Sequence, residues 1–305
     1  MQKKKASRLS RGDRVFLFVN KIVLVIVFIM FLYPLLFVIS ASVSDPEMVN
    51  AGKVILLPRG FTLDGYRRIL DFSDIWRGYL NTLYYTIVGT VLNLAFTIPC
   101  AYAISRKEMA GRNIVMLIIM ITMYFSGGLI PIYLNLKSFG LLDTWYVLLI
   151  TGLVSAYNVV VSRTFFASTI PLELYDAAYI DGAGDWTTFI RIVLPLSKPI
   201  LAVMALYYGV ARWNSYFDAM VYLRDRAKYP LQMYLREVLI QTKMVADSMT
   251  QSMDPEAVKE LNRQANEANL IKYCVIIVST APMMAIYPWL QRFFGKGVMI
   301  GSVKG

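Results

Sequence analysis

Six stretches of mostly apolar residues, each about 20 residues or longer, punctuate this chain at about 19–42, 82–105, 113–136, 145–166, 200–223 and 270–293. An α-helix rises 1.5 Å per residue, so about 20 apolar residues cross a hydrocarbon core of about 30 Å. In lipid the backbone must satisfy its own hydrogen bonds, so segments of this kind are helices. The sequence therefore predicts an all-α, polytopic membrane protein with about six transmembrane helices. Composition agrees: 17% of the 305 residues are charged, against about 25% in soluble domains. Prolines 34, 99, 131, 282 and 288 and the pair Gly127-Gly128 fall within these stretches. Each proline removes a backbone donor and is expected to kink its helix.

The net charge of +11 lies mostly beside the apolar stretches, where it orients a membrane protein; nucleic acid is not an expected partner. Lys3, Lys4, Lys5, Arg8, Arg11 and Arg14 face one acid, Asp13, ahead of the first stretch. That stretch is too long for the apolar part of a signal peptide and is expected to be retained. The turn after the second stretch (Arg106, Lys107, Arg112) and the C-terminal end (Arg292, Lys296, Lys304) are also basic. By contrast, 43–80 carries five basic and five acidic residues, and 224–269 carries seven of each. Basic excess marks the cytoplasmic side of a membrane. Both termini and the loop at 171–195 are thus expected inside, and 43–80 and 224–269 outside. Trp76, Trp145 and Trp289 fall near predicted helix ends, where indole favours the interface. Asp254-Pro255-Glu256 reads as the start of a short polar helix reaching about residue 269.

Several chemistries are excluded. The chain has no histidine, which removes histidine metal sites and Ser-His triads. Cys100 and Cys274 both lie in apolar stretches and suggest neither a disulfide framework nor a zinc site. No phosphate-binding glycine loop of the G-x-x-x-x-G-K-[ST] or G-x-G-x-x-G type occurs. If ATP drives this protein, another chain binds it.

The most informative segment is 171–195. It begins at Pro171 with helix-forming residues that include Glu173, Asp176, Ala177 and Ala178, and is interrupted at Asp181-Gly182, where glycine permits a left-handed turn. Trp186, Phe189, Ile190 and Val193 then recur at helical spacing up to Pro195. The pattern predicts a helix-turn-helix on the inner membrane face. Its small residues allow close approach of another protein, and the acids Glu173, Asp176, Asp181 and Asp185 offer partners to basic side chains.

The spacing of this segment resembles the EAA loop of binding-protein-dependent ABC importers, written E-A-A, three residues, G, nine residues, I, one residue, L-P. Asp176-Ala177-Ala178 stands at E-A-A, Gly182 at the glycine, and Ile192 and Leu194-Pro195 at the end. Asp176 departs from the family's glutamate and keeps the carboxylate on a shorter arm. Trp213-Asn214 with Phe217 resembles a motif of carbohydrate permeases, and the C-terminal run from Tyr287 resembles the family's usual end. Tyr124–Pro131 and Leu223–Leu231 resemble the branch that imports oligosaccharides from complex, often acidic, polysaccharides. The resemblance implies a type I ABC importer-like permease fold: a basic tail at 1–18, then a transmembrane permease domain at 19–305. It implies a transport subunit rather than an enzyme. The implied partners are a second homologous permease subunit, two ATPase subunits that bind ATP and Mg, an extracellular solute-binding protein, membrane lipid and a sugar substrate. It further implies that the coupling loop docks on one ATPase.

For the substrate path the residues leave two readings open. Arg212 lies near the middle of 200–223, where an arginine costs roughly 2.5–3.5 kcal/mol on insertion scales and requires a partner. It either meets a carboxylate on an acidic sugar or is held by an internal ion pair or carbonyl contacts. On a continuous helix Tyr208, Arg212 and Tyr216 would share one face, and Asn214 and Asp218 another. Tyr124, Tyr157, Asn158, Trp213, Asn214 and Tyr216 could stack on or hydrogen-bond to a sugar, although helix packing accounts for each aromatic alone. A permease for another solute, such as phosphate or a peptide, is the alternative that the EAA pattern by itself allows. A secondary transporter would be expected to show paired repeats, and none is visible.

Overall fold

The computed structural model describes residues 10–249 and 255–297. The tail cations Lys3, Lys4, Lys5 and Arg8, the cap candidate Asp254 and the end beyond Gly297 lie outside the described residues, as does the side chain of Trp289. All regular structure among the described residues is helical. The first five helices are α1 (Arg11–Ser42), α2 (Pro46–Asn50), α3 (Asp64–Asp71), α4 (Ser73–Ser105) and α5 (Arg112–Tyr124). Then come α6 (Leu129–Ser138), α7 (Val147–Ile150), α8 (Ala156–Thr169), α9 (Leu172–Ile180) and α10 (Asp185–Thr188). The last five are α11 (Leu194–Leu196), α12 (Lys198–Trp213), α13 (Phe217–Tyr222), α14 (Leu231–Met249) and α15 (Pro255–Gly297).

Three of these helices are long and apolar enough to cross a membrane unbroken: α1, α4 and the Ala268–Pro288 part of α15. The other three apolar stretches are broken, where the sequence predicts continuous helices. The third is α5 and α6, which meet at 113° across Phe125–Gly128, with Gly128 at φ +83°. The fourth is the single turn α7, an open stretch that includes Gly152 at φ +67°, and α8. The 14 residues of α8 span only about 21 Å at 1.5 Å per residue, so α8 alone is shorter than the hydrocarbon core. The fifth stretch ends α12 at Trp213 and restarts as α13, because Asn214 turns its amide back onto its own helix: Nδ2 donates to Val210 O at 3.0 Å. Tyr216 and Asp218 therefore do not continue the faces of Tyr208 and Asn214.

Two boundaries move outward for identifiable reasons. Ser10 and Asp13 form a capping box, with Asp13 N–H donating to Ser10 Oγ and Ser10 N–H to Asp13 Oδ2, both at 3.1 Å. This starts α1 well before its apolar residues. At the other end, the polar helix expected to stop near 269 runs on into the last span as one helix of 43 residues.

The chain forms two compact units, one of Met1–Asp71 with Val238–Val278 and one of Phe72–Glu237 with Ser279–Gly305. In the first, α3 approaches α15 so closely that a Cβ on Gly65 would stand 2.6 Å from Cys274 Sγ. Cys274 Sγ in turn donates to Ser42 O at 3.1 Å. Most of α1 is exposed, and its last turns pack on this unit, where Phe37 meets the Tyr273 ring edge-on and Ser40, Ala41 and Ser42 are buried. In the second, α4 is the central post, against which α8 and α12 pack. Asn81, Tyr85, Gly89, Asn93, Thr97 and Ala101 are all buried along it. Their four-residue spacing makes one stripe facing the bundle, rich in the small and polar residues that let membrane helices pack.

The 224–249 part of the 224–269 connection is also structured, ahead of the expected short helix. It holds a 3₁₀ turn at Arg226–Lys228 and α14. Asn81 Nδ2 donates to Ala227 O and Tyr229 O at 2.8 and 2.9 Å, and Tyr85 Oη to Lys228 O at 3.0 Å. Asp143, at φ +57°, accepts from the backbone N–H groups of Arg224 and Asp225, each at 3.1 Å. Lys228 Nζ reaches the same carboxylate at 3.3 Å. Trp76 and Trp145 are part-exposed near helix ends, and Trp145 packs on the rings of Tyr84 and Tyr85.

Candidate functional site: a two-armed loop and a broken helix

The 171–195 segment forms two helical arms joined by a glycine turn. Pro171 precedes α9, whose Tyr175 and Ala178 are buried while Glu173, Asp176 and Ala177 face outward. The first arm ends in a Schellman motif: Ala183 N–H donates to Ala178 O at 2.9 Å and Gly182 N–H to Tyr179 O at 3.0 Å. Gly182 takes the left-handed position at φ +73°, and a Cβ there would meet no atom within 4 Å. The glycine answers a backbone need at a surface left free of neighbours.

The second arm does not stop at Pro195 as expected. A π-helical turn at Phe189–Val193 lies between α10 and α11, and the Leu194 N–H bonds Phe189 O. Widening the turn this way accommodates a proline that lacks a donor. The chain bends only after Leu196, by 81° relative to α12, at Ser197, whose Oγ donates to Val193 O at 2.7 Å. Ile192 and Leu194 are half-buried and Pro195 is exposed.

The inner side of the loop rests on the end of α4. The Tyr102 ring stacks on Phe189 with centroids 4.8 Å apart, and the Arg106 guanidinium lies 3.6 Å over the Tyr175 ring. Burial pushes the Tyr175 phenol above its ordinary range, while Arg106 pulls the other way. The outer side presents Tyr179 and Ile180, 83% and 82% exposed, and Trp186 at 66%, among the carboxylates of Asp176, Asp181 and Asp185. Exposed apolar side chains on a segment that also carries exposed acids mark an interaction surface.

The residues assigned to the substrate path are not gathered in one place. The Arg212 guanidinium is engaged inside the bundle. Its Nε donates to Asn93 Oδ1 at 3.1 Å, Nη1 bonds Leu148 O, and Nη2 donates to Leu149 O at 3.1 Å. This is the geometry of the carbonyl-contact reading. Asn93, fully buried, also donates to Gly152 O and Leu153 O at 2.8 and 2.6 Å, so one asparagine and one arginine close the open stretch between α7 and α8. Trp213 is buried, with Nε1 donating to Ser279 O at 2.8 Å and its ring edge-on to Tyr79. Trp213 and Asn214 share a cleft of about 250 Å³ with Met283, Met284 and Tyr287. Tyr124 and Tyr157 are exposed and do not line that cleft, Asn158 is buried, and Tyr216 is exposed. Reading single residues misses Asn93, Tyr102 and Arg106. The signal for Asn93 is its place in the four-residue stripe on α4.

An all-α chain with several candidate spans, a two-armed surface loop and a polar-lined bundle has the architecture of a polytopic membrane protein. Residues 6–217 match the family described as binding-protein-dependent transport system inner membrane component. The chain is 38% identical over 275 residues, 89% of each sequence, to protein LplC of Bacillus subtilis. It is also 38% identical to the polygalacturonan/rhamnogalacturonan transport system permease protein YtcP of the same organism, over 89% of this chain and 92% of YtcP. Among solved structures it resembles a chain of a bacterial ABC transporter involved in import of the acidic polysaccharide alginate, with TM-score 0.82 and 35% identity, covering 95% of this chain and all of that one. The chain belongs to the family of inner membrane components of binding-protein-dependent transport systems.

Proposed function

We propose that this permease carries an acidic oligosaccharide, handed over by an extracellular binding protein, across a bacterial plasma membrane. The observation that carries the substrate class is the likeness to YtcP, named for polygalacturonan and rhamnogalacturonan, and to the importer of the acidic polysaccharide alginate. In this reading the chain pairs with a second permease, and two ATPase subunits that bind ATP and Mg sit on the side of the basic loops. The termini and the 171–195 loop are cytoplasmic, and 43–80 and 224–269 face outside.

Within that assembly the exposed arm around Asp176, Ala177, Asp181 and Gly182 docks on an ATPase subunit. The buried residues Tyr175 and Phe189 transmit its movement to α4 through Tyr102 and Arg106. Because Arg212 is held by Asn93 and two carbonyls, its role in this reading is to set the break between α7 and α8. Trp213 and Asn214, on the cleft, are the better candidates for sugar contact.

The test is purification of the tagged chain from its native membrane in mild detergent. An ATPase, a second permease and a binding protein should accompany it. The recovered binding protein should bind uronic-acid oligosaccharides in preference to neutral ones. Preference for neutral sugars sinks the substrate class, and a chain that repeatedly purifies alone sinks the assembly. Asp176→Arg should leave the chain in the membrane while lowering recovery of the ATPase several-fold; unchanged recovery would count against the docking role.

A further inference from the structure

A recess of about 180 Å³ opens where the end of α4, the start of α5, the last two turns of α8 and the start of α9 meet. Its charged lining is Arg106, Lys107, Arg112 and Arg163, with no carboxylate, and Phe166 and Tyr175 are part of its apolar wall. Among the described residues, Glu108 is the one acid in ion-pair range of any of these cations, 3.3 Å from Arg106 Nε and itself exposed. Arg106 Nη1 and Arg163 Nε are buried without a hydrogen-bond partner among the described residues. Arg163 belongs to an apolar span, where an uncompensated guanidinium is costly. Four cations against one exposed acid, beside low-dielectric walls, favour an anion strongly.

We propose that this recess binds a phosphate-ester anion, the headgroup phosphodiester of an anionic membrane lipid. A planar guanidinium matches the paired oxygens of a phosphate, and basic pockets between spans at a membrane face accept such headgroups. Arg163 and Arg112 are the main donors, and the exposed Lys107 guards the mouth. Since Tyr175 of the coupling loop forms part of the wall, an occupied recess braces that loop against α4, α5 and α8. The inference rests on the proposed function only for the leaflet, which is cytoplasmic in that reading.

The experiment uses the complete transporter in nanodiscs of phosphatidylcholine with or without phosphatidylglycerol, followed by native mass spectrometry of retained lipid. The wild type should retain phosphatidylglycerol. Arg163→Gln and Arg112→Gln should each weaken retention about fivefold, the factor matching about 1 kcal/mol per cation near the membrane surface. Arg163→Lys should keep most of it, and Lys107→Gln, at an exposed position that folding tolerates, should weaken it by a smaller factor. Inorganic phosphate titrated onto the detergent-purified complex separates the sources: binding with the same dependence on these variants, without retained lipid, assigns the site to a soluble phosphate. Equal retention by wild type and all variants, with no variant-sensitive phosphate binding, overturns the proposal. So does a partner carboxylate seated on Arg163 in a structure of the complex. Both leaflets carry the same lipid, and ATP hydrolysis stimulated by the binding protein reports the importer reading separately.

Discussion

Asn93 and Arg212 show how few groups hold an irregular backbone inside a membrane protein. One amide and one guanidinium serve the carbonyls of Leu148, Leu149, Gly152 and Leu153, which a break between helices would otherwise leave unpaired. Buried polar groups left without partners cost about 1–3 kcal/mol each. Asn93→Leu should therefore lower the thermal unfolding midpoint of the purified complex by several degrees, and an unchanged midpoint would remove Asn93 from this role. Asp143 is the equivalent clamp on the 224–231 turn. Burial alone would raise its pKa, but the backbone N–H groups of Asp225 and Arg224 and the Lys228 ammonium outweigh it and hold the carboxyl below the ordinary 3.8. A depressed carboxylate pKa contributes stability that is complete above the unfolded value and is lost as pH falls through the folded one. Amide exchange at Arg224 and Asp225, corrected for intrinsic rate, should be steady from neutral pH down to about 4 and accelerate below it. Asp143→Asn should show the faster exchange at every pH.

At the scale of an element, the 171–195 loop is specified by one conformation. Gly182 occupies the left-handed position of a Schellman cap, where a residue with a Cβ pays about 1–2 kcal/mol. Nothing crowds the site, so the cost is in the backbone alone. Gly182→Val should leave the complex assembled while reducing binding-protein-stimulated ATP hydrolysis several-fold, and Gly182→Asn should be milder because asparagine tolerates this region. Equal activity of the two variants would mean that the turn's shape does not matter for coupling. The segment's glycine and its E-A-A-like spacing were legible from sequence because turns depend on local backbone preference. The π-helical turn before Pro195 was not, since it depends on how Phe189 and Val193 seat against Tyr102 and the core.

For the whole molecule, the three unbroken spans and three broken stretches leave sidedness to be set by the basic loops. Ala51 and Ala110 are exposed and lie in a balanced and a basic connection. Replaced singly by cysteine, they should react with a membrane-impermeant maleimide from opposite sides, Ala51→Cys in intact cells and Ala110→Cys only after permeabilisation. The native Cys100 and Cys274 are half-buried and buried and should give little background. Labelling of both from the same side would reverse the orientation or change the number of crossings.

The sequence by itself determined the class of fold and the family, because apolar length is a direct response to the thickness of a bilayer and the 171–195 segment is written in local spacing. It also placed the C-terminal ends of α1 and α4, at Ser42 and Ser105, whereas both helices start well ahead of their predicted stretches, at Arg11 and Ser73. Only the tertiary structure decided which apolar stretches break, since a chain can leave the helix inside a membrane only where neighbours such as Asn93 and Arg212 accept its freed backbone groups. For the same reason it decided the fate of Arg212 and of the 224–231 turn: their partners, Asn93 and Asp143, lie far away in the chain and meet them only when α4 and its neighbours are packed.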